Sequence, residues 1–221
     1  MKFITDNLKE QAKIILKEIE ADEANEYYWP KSVEHQIFEQ AYMKFINRNL
    51  NYFDVENMIV QTLEGNEFNP AFPKTLEFCR SVRILSPKHK SSIFGRMCIW
   101  KLPPKKRLLP HKDDFFYHSF ITRNIFIISD FLPTEVEINI NRTPTPITQG
   151  TLFQFHPDTE LHDFANLSED KPFYFLGFDF WNTMNLKALQ SIVNVEKVKS
   201  NPDRLGKFGG NGTKAKYISK H

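Results

Sequence analysis

The chain has 221 residues, with 29 Lys and Arg against 27 Asp and Glu, a net charge of +2. That balance is too even to argue for a nucleic-acid or membrane-surface partner, and no stretch approaches the roughly 18 apolar residues of a bilayer span. At 41% hydrophobic and 25% charged residues the chain is one that packs a core, and its 21 Phe point to a core filled with rings. The length fits one generous domain, or a domain with a helical extension.

The first elements read as helices. Over 5–22, Leu8, Ala12, Ile15 and Ile19 recur every three or four residues between Lys and Glu. Asp6 is placed to cap that segment. A second helix is expected over 33–48, with Ile37, Ala41, Phe45 and Ile46 as its stripe. A third is expected over 53–63, ended by Gly65, and a fourth over 74–83, following Pro73.

Near residue 91 the pattern changes. SIFGRMCIWKL, residues 92–102, is rich in Ile, Phe, Trp and Cys and reads as a strand. Further strands are expected over 107–111, 122–129, 135–141, 151–156 and 172–181, separated by Pro, Asp, Asn and Gly turns. Short strands at such spacing indicate an all-β sandwich or barrel rather than βαβ units. A closing helix is expected over 183–193. The stretch 199–221, containing GKFGGNGTKAK, reads as a basic surface tail. The expected organisation is a helical N-terminal region over 1–85 supporting a β-rich core over 86–198, with the tail beyond it.

Cys79 and Cys98 are too few for a disulfide framework or a Cys-built zinc site, and Cys98 lies in an apolar run as a buried thiol would. The N-terminal MKFITDNLKEQAK lacks the layout of a signal peptide, so a reducing, cytoplasmic setting is expected.

The chemistry-bearing pattern lies in the β-rich half. In Pro110-His111-Lys112-Asp113-Asp114, an extended backbone puts His111 and Asp113 on one face. His162, in LHDFAN, lies several strands later. Two His and one carboxylate cover one face of an octahedral iron and leave the other open for oxygen chemistry. Asp114 competes with Asp113 but points to the opposite face of a regular strand. His156 competes with His162 but precedes Pro157, where a turn role is the ordinary one. His118 reads as a rim residue, and Trp100 and Trp181 as core or pocket wall. Asn166 reads as a residue that shapes the turn after His162. A cation near the pocket is expected from Arg123 or Lys171.

The stretch from about 72 to 181 resembles the aspartyl/asparaginyl β-hydroxylase-like branch of the 2-oxoglutarate/Fe(II) oxygenases. The resemblance rests on FPKTLEFCRSV, GRMCIWKLPPKKRLLPHKDD, RNIFIIS, ITQGTLFQF and LHDFANLSEDKPFYFLGFDFW, in that order. It implies a double-stranded β-helix (a cupin-like jelly roll) and iron held by His111, Asp113 and His162. It also implies 2-oxoglutarate as co-substrate, spent to succinate and CO2 as a hydroxyl is placed on an amino-acid side chain, free or within a peptide or protein. Two departures stand out. Pro103-Pro104-Lys105 replaces the family's Pro-Gly turn, and the family's co-substrate-binding Arg falls on Pro172. Arg123 or Lys171 is then left to bind the co-substrate carboxylate. The competing expectation is a cupin-like protein that binds a metal or small ligand without 2-oxoglutarate turnover.

Overall fold

In the computed structural model of the chain, the described residues are 1–24, 42–45, 71–85, 93–113 and 121–181. Their elements are, in order, β1 (Lys2–Thr5), α1 (Lys9–Ala24), β2 (Tyr42–Phe45), α2 (Pro73–Leu85), β3 (Ile93–Leu102) and β4 (Arg107–His111). There follow β5 (Ile121–Ile127), β6 (Val136–Ile140), β7 (Thr143–Pro144), β8 (Leu152–Phe155), β9 (His162–Asn166) and β10 (Phe173–Trp181).

The strands form a major sheet of order β1-β8-β5-β10-β3-β2 and a minor sheet of order β4-β9-β6-β7. From β3 onward the chain crosses from one sheet to the other at nearly every connection. The paired sheets therefore wind as a double-stranded β-helix, the fold expected from the sequence. All the recorded pairings are antiparallel.

Side-chain alternation along each strand builds two cores. On β10, Phe173 and Phe175 face the minor sheet, where they join Trp100, Leu108, Ile125, Ile138, Phe155 and Phe164. Tyr174, Leu176, Phe178 and Phe180 face the other way, onto Ala12, Ile15 and Ile19 of α1 and Phe78, Cys79 and Val82 of α2. These two helices thus cover the outer face of the major sheet. Each fully buried ring contributes about 1.5–3 kcal/mol, which is what the many phenylalanines supply. Both cysteines are buried thiols, and burial pushes the Cys79 thiol up.

Two contacts fix the helices. Pro73 opens α2, where a missing N–H costs nothing. Glu18 of α1 then accepts from Lys74 N at 2.6 Å, Thr75 N at 2.9 Å and Thr75 Oγ1 at 2.7 Å, meeting N–H groups that the first turn leaves open. The start of α1 rests on Gly150, whose φ is +87°; a Cβ there would lie 2.4 Å from Lys9 N.

The N-terminal region is not wholly helical, and it is not separate from the core. Residues 2–5 form β1 on the edge of the major sheet against β8, and α1 begins only at Lys9. Within the segment expected as a helix over 33–48, residues 42–45 are strand β2, paired with β3. Over 42–45 an open sheet edge outweighs local helical periodicity. The helices expected over 53–63 and 183–193 and the tail over 199–221 lie outside the described residues, as do Asp114 and His118. Among the described residues no helix is long and apolar enough to cross a membrane.

Candidate metal centre

The site lies at one end of the sandwich, where β4 finishes and β9 begins. His111 and His162 are register partners across that pair, so their rings project together, with centroids 4.3 Å apart. β4 ends at His111; beyond it Asp113 N donates to Pro157 O at 2.7 Å, and the Asp113 carboxylate lies beside the His111 ring. Asp113 Oδ1 lies 3.4 Å from His111 Nε2 and 3.7 Å from His162 Nε2. One ligand atom from each residue falls within 4.8 Å of the others, and all three residues are buried.

The donor set fits a divalent metal. Nδ1 of His111 lies 2.6 Å from Leu109 O, and Nδ1 of His162 lies 3.0 Å from Glu160 O. A protonated Nδ1 that donates to a carbonyl leaves the lone pair on Nε2, which is the atom turned toward Asp113. Burial above all, and then the neighbouring His111, hold His162 down to about 3, so its imidazole is neutral at physiological pH, the form a metal would need. Donors bonded to one metal at about 2.1 Å lie roughly 3.0–3.4 Å apart. The observed separations need only a small contraction to reach that. The described carboxylates at the site are Asp113 and Asp179 against one cation, Arg123, so the cluster's charge also favours a cation.

Arg123 reaches the site, but not with the fork expected for a co-substrate. Its Nε and Nη2 donate to the two oxygens of Asp179 at 2.8 and 2.9 Å, and its Nη1 donates to Asp113 Oδ2 at 2.5 Å. The two-point face of the guanidinium is therefore committed to Asp179. Lys171 is not at the site. It sits in the β9–β10 turn, at the opposite end of both strands from His162 and Asp179. Its side chain is 62% exposed, and its nearest carboxylate is Glu135, at 3.9 Å.

The remaining residues fall as their sequence context indicates. His156 is exposed in the turn after β8, where its carbonyl accepts from Glu160 N at 2.8 Å. Asn166 shapes the β9–β10 turn, donating to Leu102 O at 2.9 Å and Lys171 O at 2.8 Å and accepting from Ser168 N at 3.1 Å. Trp100 is pocket wall, stacked on Phe175 at 5.9 Å. The residue of this buried cluster that sequence reading missed is Asp179. A lone carboxylate inside FYFLGFDFW is the available signal, because a charge in an apolar strand needs a buried partner.

The pocket around the donors is lined by Trp100, Leu108, Ile125, Phe155, Phe164 and Phe175 besides the polar cluster, and its free volume is about 30 Å³. That is room for an ion and a water or two, within apolar walls.

No family model and no curated protein matches the sequence. Among solved structures, the chain resembles a prolyl hydroxylase from Trichoplax adhaerens in complex with a hypoxia-inducible-factor peptide fragment. The match covers 85% of both chains, at 8% identity and a TM-score of 0.58. A Pseudomonas putida prolyl-4-hydroxylase matches over 79% of this chain and 87% of its own, at 10% identity and a TM-score of 0.49. A Klebsiella pneumoniae protein described by its double-stranded β-helix domain matches 40% of this chain and 64% of its own, at 19% identity and a TM-score of 0.31. At 8% identity the likeness to the Trichoplax adhaerens structure is one of fold alone.

Proposed function

We propose that the chain is an Fe(II)-dependent oxygenase that uses 2-oxoglutarate to hydroxylate an amino-acid side chain, free or within a peptide or protein. The observation that carries this reading is the convergence of His111 Nε2, His162 Nε2 and Asp113 Oδ1 in a buried pocket at one end of a double-stranded β-helix. A facial set of two His and one carboxylate leaves metal positions open, which oxygenase chemistry requires. Bound there, ferrous iron supplies the activation of dioxygen, coupled to decarboxylation of the keto acid to succinate and CO2. The chain's own groups fix the donors and shape their surroundings: the carbonyls of Leu109 and Glu160 aim the imidazoles, and aromatic walls line the small pocket around them. The finer resemblance, to the aspartyl/asparaginyl β-hydroxylase branch, belongs to this same reading. A reducing, cytoplasmic setting suits Fe(II) and two buried thiols.

A second reading is a cupin-like protein that binds a metal or a small ligand without 2-oxoglutarate turnover. Two observations favour it: the small aromatic-walled pocket, and the commitment of the Arg123 fork to Asp179. Anaerobic protein given Fe(II) and 2-oxoglutarate separates the two. The oxygenase develops the visible charge-transfer band of a chelated keto acid, loses it in His111→Ala and Asp113→Ala, and releases succinate when air is admitted. Iron bound without band or succinate establishes the second reading.

A further inference from the structure

We propose that Asp179 and Arg123 form a positioning pair that holds Asp113 as a one-oxygen ligand, so that a coordination position stays open on the metal. This inference rests on the metal centre described above and adds residues outside its donor set.

The geometry runs from one sheet to the other. Arg123 on β5 and Asp179 on β10 are register partners in the major sheet. Both side chains are buried, at 6% and 2% exposure, and they meet through a two-point fork. Such a fork fixes the plane of a guanidinium more tightly than a single bond does. The third nitrogen, Nη1, thereby reaches across to Asp113 Oδ2, while Oδ1 is the oxygen turned toward both histidines.

A carboxylate on a divalent metal binds through one oxygen or two. A charged donor on Oδ2 stabilises the one-oxygen form, since two-point binding would pull Oδ2 off its partner. Two-point binding would also fill a position that an oxygen-activating centre needs. The pair is costly to bury for stability alone: an ion pair inside a protein is often no better than apolar side chains of the same volume. Placing its third donor on a metal ligand gives it a reason to be there.

The test uses the full-length protein, freed of metal and titrated anaerobically with Co(II), with X-ray absorption at the cobalt edge. Variants are Asp179→Asn, Arg123→Lys and the double variant Arg123→Leu/Asp179→Leu, which leaves neither charge buried alone. Circular dichroism and thermal melts identify which variants are folded. The wild type is expected to show one-oxygen carboxylate ligation. Folded Asp179→Asn and the double variant are expected to bind Co(II) about 10–100-fold more weakly, with the short cobalt–carbon distance of a two-oxygen carboxylate. Arg123→Lys, which keeps a cation near Oδ2, is expected to retain one-oxygen ligation. Unchanged affinity and ligation in the folded double variant overturn the positioning role and leave the metal centre intact. A wild type that binds no Co(II) overturns both.

Discussion

His162 has a direct consequence for the pH dependence of stability. It stays neutral in the fold down to about 3, chiefly because it is buried and secondly because His111 is close. The unfolded chain titrates the same imidazole near an ordinary value of about 6.5. Between those values the unfolded state takes up a proton that the folded state refuses. Stability is therefore undiminished above about 6.5 and falls on acidification below it, by up to about 1.4 kcal/mol per pH unit until the folded group itself titrates. Urea midpoints of the metal-free protein at neutral and mildly acidic pH measure that slope. His162→Gln is expected to flatten it, and an unchanged slope in the variant would assign the effect to other groups. At this scale the two-residue spacing of His111 and Asp113 is legible in the sequence, although β4 ends at His111 and Asp113 comes beside it only after the strand. The partner of Arg123 is not legible. Asp179 lies 56 residues away, and only the β5–β10 register brings the two together.

Two connections between elements carry more than their length suggests. Glu18 closes the first turn of α2 from a residue of α1, a tie across 57 positions of sequence. Glu18→Ala removes the acceptor for two backbone N–H groups and a hydroxyl, and is expected to cost about 1–2 kcal/mol, the upper range for a lost helix cap. Gly150 combines a left-handed φ with the backbone of Leu8 and Lys9 lying where a Cβ would go. Gly150→Ala is expected to cost about 2–4 kcal/mol, since strain and overlap add. Both effects should appear as a lower denaturant midpoint at an unchanged slope. The sequence shows why such elements are unevenly legible. Strands β3 to β6, β8 and β10 announce themselves because apolar runs alternate with turn residues, and α2 announces itself through Pro73, whereas β7 and β9 were not among the expected strands, and β9 is held as a strand by its pairing with β4 and β6. Residues 42–45 carry a helical stripe, yet they pair with β3, and no local pattern records that an edge far along the chain is waiting for them.

For the molecule as a whole, the candidate metal centre ties residues within and between the sheets. His111 and His162 belong to adjacent strands of the minor sheet, Asp113 follows the first of them, and Arg123 reaches in from the major sheet. The unfolded chain lacks this arrangement, so a metal that binds the folded state stabilises it by mass action. At a free concentration a hundred times the dissociation constant the gain is about 2.7 kcal/mol. For a chain of this length that corresponds to a rise of roughly 5–11 °C in melting temperature. Co(II) or anaerobic Fe(II) should produce the shift in wild type, and His111→Ala and His162→Ala should abolish it while remaining folded. The metal-free His162→Ala variant is also expected to lose the acid sensitivity described above. Coupling of both effects to the same imidazole distinguishes a metal centre built into the fold from metal attached to the surface. Surface binding would shift the melting of wild type and variants alike.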